Sequence, residues 1–453
     1  VDKQKILNRP VRELAWRMSP AGIGSSLMLS ANAIADAVFA GQFVGSAAMA
    51  GIALSVPLIA FHSAIVRLVG TGSASILSRA IGSGNEKIFG TLLYHAIGML
   101  VLCSLCISLT GYFFAGELIG LMGGTGDVLH HGSQYYRLMA LFCLPSIFGV
   151  ATSVLIRAEG RVGYAMRITA TGVALNLILC PIFCGYLGWE VAGTAFSTII
   201  AMSAYSALTF RYFLLRKGVL FFGKLPRRFD IGLLRNIMAV GLPGFQSNLS
   251  GMFRQVFLFR LMALHGADTG LVVFSAIYRT FSFSVAPTFG IVQALQPVAG
   301  MNHGAKQFRR TRESYAVFLK YSVFLMAAIA LPLLLFPEAV LSALIPDVPL
   351  SGADVFHFRL LICVMLLFPV FPNSVTFLQA IGKSRYASWM TIGRDVLLFY
   401  PMVAACWFWA AADSLYYGIF LENAVCALLF LGLMAGVLRR MEADRAATVD
   451  GNR

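Results

Sequence analysis
Apolar runs of roughly 20 residues or more, each long enough to cross a bilayer core, recur along the chain between short polar joints. They fall at about 18–43, 48–80, 89–114, 134–158, 162–186, 190–216, 231–265, 268–300, 311–336, 354–382, 385–410 and 415–438. All are rich in Leu, Ala, Phe and Gly, and none shows the alternation of a membrane β-barrel strand. The pattern predicts an all-α, polytopic membrane protein of 12 transmembrane helices.

The joints alternate in charge. After the even-numbered runs come Lys87; Arg157 and Arg161; Arg216, Lys217, Lys224, Arg227 and Arg228; Lys306, Arg309, Arg310 and Arg312; Lys383 and Arg385; and Arg439 and Arg440. The joints after the odd-numbered runs hold no Lys or Arg and carry Glu117, Asp127, Glu338, Asp347 and Asp413. Short basic loops stay in the cytoplasm, so both termini are expected inside a bacterial inner membrane. Composition agrees: 58% of residues are hydrophobic and 12% charged, about half the charged fraction a water-covered domain needs. The net charge of +15 is therefore read as loop topology, with no nucleic-acid partner. The eight cysteines sit inside apolar runs without framework spacing and read as small core residues. The opening VDKQKILNRPVREL is too charged for a cleavable leader. The missing initiator Met is expected to reflect trimming of a few residues.

The two halves repeat. LIRAEGRVGYA, with Arg157-Ala158 and Gly160-Arg161, corresponds to FLQAIGKSRYA, with Gln379-Ala380 and Gly382-Lys383, at an offset of 222 residues. Residues 70–87 correspond to 290–307 at an offset of 220, and Pro20 to Pro243 at 223. Six spans per repeat keep both halves in one orientation, which places substrate sites between them near the midplane. The expected organisation is a six-helix lobe over 1–216, a basic linker over 217–230, a second lobe over 231–438 and a charged tail over 439–453.

Charges inside spans are costly and are functional candidates until explained. Asp36 is the one carboxylate well inside the first lobe, roughly 10 Å from the outer end of its span at 1.5 Å per residue. Burial without a cationic partner favours the protonated form of a carboxyl group, which suits proton uptake and release. The competing reading is a helix-capping or interhelical hydrogen bond. In the second lobe Arg254, Arg279 and Arg394 reach similar depth, roughly 16 Å in, where both interfaces are far and snorkelling explains them less well. Two readings stand: pairing with Asp395 or Glu422, or a cavity wall for anionic or strongly polar groups on a substrate. Gly70, Gly72, Gly82 and Gly84 lack the following Lys-Ser/Thr of a phosphate loop and read as close helix packing. His62, His95, His130 and His131 lack metal spacing, and no nucleophile cluster or Asp-rich motif is present. Neither an enzyme, a metal site nor a cofactor is expected.

The segment GTGSASILSRAIGSGNEK, residues 70–87, resembles the motif that ends the second helix of MATE (multidrug and toxic compound extrusion) transporters. GIVQALQPVAGMNHGAK, LQAIGK and IGRDVLLFYP resemble segments of the staphylococcal-type multidrug branch. The resemblance covers about residues 14–438. It implies cation-coupled export of organic compounds, drugs or a secondary metabolite, by rocking of two six-helix lobes around a central cavity. It also implies a coupling site in the first lobe, where Asp36, Asn176 and Thr198 match the family's cation-binding residues. Cys180 stands where the family commonly has a second Asp. A thiol is a poor ligand for a hard cation, so H+ is expected as the coupling ion ahead of Na+. Gly251 stands where the sodium-coupled branch has Glu. The alternative is a lipid-linked oligosaccharide flippase of the same superfamily, which should show a continuous basic surface in both lobes. The other expected partners are membrane lipid and the small organic substrate, with the chain a monomer.

Overall fold
The computed structural model describes residues 3–222, 230–265, 268–410 and 413–450, and among these no strand occurs. Lys224, Arg227 and Arg228 of the linker, and 451–453 of the tail, lie outside the described residues. Twelve long helical segments follow one another. They are α1 (Val11–Phe43), α2 (Ala47–Ser83), α3 (Glu86–Phe113), α4 (Gly126–Leu141 with Cys143–Ala158), α5 (Val162–Tyr186) and α6 (Glu190–Leu214). The second series is α7 (Ile231–His265), α8 (Asp268–Gly304), α9 (Phe308–Leu335), α10 (Gly352–Ala380), α11 (384–410) and α12 (Ser414–Asp450). Among the described residues nine helices are long and apolar enough to cross a membrane, and ten if the bent α4 counts as one span. The two that complete the set, α7 and α11, carry their charges in mid-helix: Arg254 and Arg260 in one, Arg394 and Asp395 in the other.

Three features depart from straight spans. Helix α4 begins at Gly126, inside the stretch expected to be an outer loop over 115–133, and bends by 56° at Phe142. Short helices Ala115–Leu121 and Pro337–Leu344 occupy the joints between α3 and α4 and between α9 and α10. Wide π-helical turns interrupt α2 at Arg67–Thr71, α5 at Ile182–Tyr186 and α11 at Gly393–Leu398. Such turns shift helix register locally and recur at functional sites.

The chain packs as two units, one of Val1–Lys5 and Gly24–Leu249, the other of Ile6–Ile23 and Ser250–Arg453. The sequence repeats and the packing units thus differ at α1 and α7, whose N-terminal portions each join the other repeat's unit. Glycine makes this exchange feasible. Within the second unit Gly22 of α1 lies so close to α8 that a Cβ would stand 2.1 Å from the Gly290 carbonyl oxygen. Within the first unit a Cβ on Gly241 of α7 would stand 1.7 Å from the Leu68 carbonyl oxygen of α2. The two crossings are the same contact in the two repeats, since Gly241 lies 219 residues after Gly22 and Gly290 lies 222 after Leu68. Backbone approach of this kind is how helices associate where lipid supplies no hydrophobic drive.

Each unit has its own apolar core. In the second unit Phe274, Phe358, Phe399 and Leu361 are fully buried among α8, α10 and α11. In the first, Tyr135, Val191, Ala195 and Ile199 join α4 to α6. The first unit also holds both described ends of the connector. Buried Glu159 accepts hydrogen bonds from the Val219 and Leu220 backbone N–H groups at 3.0 and 2.9 Å and from the Tyr212 hydroxyl. At the far end the Asp230 N–H donates to His95 Nε2, and Asp230 Oδ1 accepts from the N–H groups of Gly232 and Leu233 at the start of α7.

Candidate functional site
The first unit gathers the acid-bearing set. Asp36 lies on α1, one helical turn after Asn32, whose Nδ2 donates to Asp36 Oδ2 at 3.0 Å. The other carboxylate oxygen, Oδ1, has no hydrogen-bond partner among the described residues, nor has Asn32 Oδ1. No basic side chain lies within ion-pairing distance of Asp36 among the described residues. Asp36 lies within electrostatic reach of Tyr135 on α4 and of Cys180 and Cys184 on α5. Asn176, one turn before Cys180, is buried and donates from Nδ2 to Thr198 Oγ1 on α6 at 3.1 Å. Thr198 Oγ1 in turn donates a hydrogen bond to the Thr194 carbonyl at 3.1 Å, and Asn176 Oδ1 is left without a partner among the described residues. Cys180 and Cys184 stand 3.9 Å apart through their sulfurs. The structure thus joins Asn176 to Thr198 directly and sets Cys180 in reach of Asp36. Among the described residues Asp36 makes no hydrogen bond to any of the three. Chemically this is a group with one formal negative charge, unpartnered carboxylate and amide oxygens, and a thiol.

The second unit balances its charges internally. Arg254 on α7 donates from Nη1 to Asp395 Oδ1 at 2.8 Å and from Nη2 to Glu422 Oε2 on α12 at 3.2 Å. Arg394 Nε stands 3.1 Å from Glu422 Oε1, and its Nη2 donates to Asn423 Oδ1 at 3.2 Å. Asn423 Nδ2 returns a bond to Glu422 Oε2 at 2.7 Å. The π-helical turn of α11 explains how consecutive residues, Arg394 and Asp395, both turn inward: they are 8% and 3% exposed. Aromatic faces cover both cations, with Arg254 4.0 Å from the Phe399 ring centre and Arg394 4.3 Å from that of Phe371. Of the three arginines for which pairing and a cavity wall were both open, Arg254 and Arg394 are paired with Asp395 and Glu422. Arg279 on α8 stands apart from this network and is exposed.

Residues that sequence reading passed over include Asn32, whose four-residue spacing from Asp36 is a legible helical pair, and Tyr135, which only packing brings close.

A twelve-helix, two-repeat chain with polar clusters at membrane depth is a multi-pass transporter by class. The MatE family model matches residues 20–182 and 247–402, and the chain belongs to the MATE family. Over 414 residues it is 22% identical to the FAD transporter of Shewanella oneidensis, covering 89% of this chain and 90% of that protein. Over 435 residues it is 20% identical to the multidrug export protein MepA of Staphylococcus haemolyticus, covering 95% and 94%. The fold superposes on an outward-facing multidrug resistance MATE transporter of the MOP superfamily with a TM-score of 0.91, at 20% identity and 97% and 98% coverage. A MOP superfamily transporter from Pyrococcus furiosus, described as having a binding pocket of reverse polarity, superposes with a TM-score of 0.89 at 21% identity, covering 98% and 99%.

Proposed function
We propose that the protein is an antiporter that exports organic compounds from the cytoplasm by alternating access, driven by protons in preference to sodium. Both termini are cytoplasmic in this reading, as the charge of the loops requires. The observation that carries it is Asp36: a carboxylate inside a membrane span, with one oxygen unpartnered and no basic neighbour among the described residues. A carboxylate so placed takes its counter-charge from solution, and a proton is the smallest available. Asn176, Thr198 and Cys180 frame the site. A hard cation seeks several oxygens, and the Cys180 thiol occupies a place where a second carboxylate would favour sodium. Export fits better than lipid-linked oligosaccharide flipping, because the Arg254 and Arg394 charges are cancelled by Asp395 and Glu422 and so make no continuous basic surface. Arg279 remains as a substrate-facing arginine of the second lobe.

Purified protein in vesicles with separately imposed proton and sodium gradients tests the coupling. Uphill movement of a fluorescent organic compound is expected under the proton gradient alone. Movement under sodium alone, with none under protons, would overturn the assignment.

A further inference from the structure
We infer that Cys180 and Cys184 form a two-coordinate site for a soft, thiophilic metal cation of the Cu(I) or Ag(I) class. The two residues lie one helical turn apart in α5, both buried, with their sulfurs 3.9 Å apart. Their placement is fixed from around the helix. Pro181 precedes the π-helical turn Ile182–Tyr186, which carries Cys184. Cys184 Sγ donates to the Glu190 carbonyl at 3.6 Å. Helix α6 comes so near at Gly193 that a Cβ there would stand 3.0 Å from the same sulfur. As thiols the pair shares one weak hydrogen bond at most.

Distance decides between the two reactions open to neighbouring thiols. A disulfide needs sulfurs about 2.0 Å apart and Cβ atoms about 3.5–4.5 Å apart. Helical neighbours one turn apart hold their Cβ atoms about 5–6 Å apart, so oxidation would distort the helix. A metal held in line between two sulfurs, at the roughly 2.3 Å of a zinc–thiolate bond, sets them roughly 4.6 Å apart. Opening from 3.9 Å to that separation takes only a small side-chain rotation.

The number of ligands then selects the metal. Among the described residues no three His, Cys, Asp or Glu side chains are grouped to share an ion, and a structural zinc site needs four. Soft monovalent ions favour thiolates and are satisfied by two. Cys180, a poor ligand for a hard cation, is a good one for these. The Asp36 carboxylate lies in electrostatic reach of both thiols and attracts the cation. Each thiol releases its proton to water as its sulfur–metal bond forms, and no electron is transferred. An ion bound here should block proton uptake at Asp36; that consequence rests on the coupling reading, whereas the binding does not.

The test is silver binding to the full-length protein in detergent, with excess glutathione and no ion gradient. Glutathione strips silver from isolated thiols, which removes the contribution of the other cysteines, exposed Cys106 among them. Silver retained after desalting is measured by elemental analysis, with melting temperature read alongside. Wild type is expected to retain one Ag+ per chain and to melt higher with it. In Cys184→Ser the glutathione concentration that strips silver should fall at least about 100-fold, the scale of losing one of two linked contacts. Cys106→Ser should retain silver as wild type does. No silver on wild type, equal retention by Cys184→Ser, or loss in Cys106→Ser would each overturn the site. Should Cys184→Ser fail to fold, Cys180→Ser decides by the same criterion. Asp36→Asn keeps both thiols and should still retain silver, so failure of the coupling assignment leaves this result readable.

Discussion

Two groups of polar residues lie at membrane depth, one in each unit, and they balance charge in opposite ways. In the second unit two guanidinium groups meet two carboxylates, and Asn423 ties them together. In the first, a single carboxylate meets one amide donor, and an oxygen of each is left over. A set that is neutral within itself has no need of an ion from solution, and it loses much if one member is removed. A lone carboxylate is the reverse: its removal leaves no buried charge stranded, but its charge must be met from outside. On the proposed reading the second unit's network holds helices together and the first unit's acid does the coupling.

The largest effect on stability should come from unbalancing the second unit. Glu422→Ala leaves Arg254 and Arg394 with one acid between them, and should cost about 3–5 kcal/mol, the usual loss for a broken buried pair. It reads as a lowered melting temperature and reduced yield. Removing cation and anion together, in Arg254→Met with Asp395→Leu, should recover much of what either change loses alone. If the double variant loses the sum of the singles, the network is not a mutually neutralising set.

A chemical change in the first unit should follow. Cys180→Asp restores a second carboxylate beside Asp36 and gives a hard cation the oxygen donors it prefers. Export is expected to gain a dependence on sodium that the proposed reading denies to wild type, measured in vesicles with sodium as the only gradient. No sodium response would show that more than Cys180 sets ion choice. The smallest effect belongs to Arg279, which is exposed and lies outside the ion-pair network. Arg279→Ala should change stability by about 0.5 kcal/mol or less, as surface substitutions do. It should lower transport of an anionic compound more than that of a cationic dye such as ethidium. A uniform loss with a lowered melting temperature would place Arg279 among the structural arginines.

Periodicity and length located the helices well: α5 and α7 were legible to the residue at their ends, because long apolar runs bounded by short polar joints leave little freedom. Helix α4 was not. Its first turns, GDVLHHGS, are polar and read as loop, yet they pack against α2, where Ser55 Oγ donates to the Gly132 carbonyl. Of the three π-helical turns, only that of α5 has a local mark in the sequence, Pro181 immediately before it. Asp36 stood out from its depth alone, whereas Asn176, Thr198 and Cys180 were legible only through resemblance to a family. The choice between a cavity wall and internal pairing for Arg254 needed three dimensions. Its partners lie 141 and 168 residues away, and nothing local announces them. The exchange of α1 and α7 between packing units was hidden for the same reason, although Gly22 and Gly241 were in plain view.

The central claim is that the first unit's acid couples transport while the second unit's charges hold structure. It is tested most directly by Asp36→Asn and Glu422→Gln measured side by side in vesicles under one imposed proton gradient, normalised to folded protein. Asp36→Asn should melt within about 1 kcal/mol of wild type, since the amide preserves shape and strands no charge, and should lose uphill export completely. Glu422→Gln should yield less folded protein, with each folded molecule still exporting uphill. Uphill export by Asp36→Asn at the wild-type rate would contradict the account.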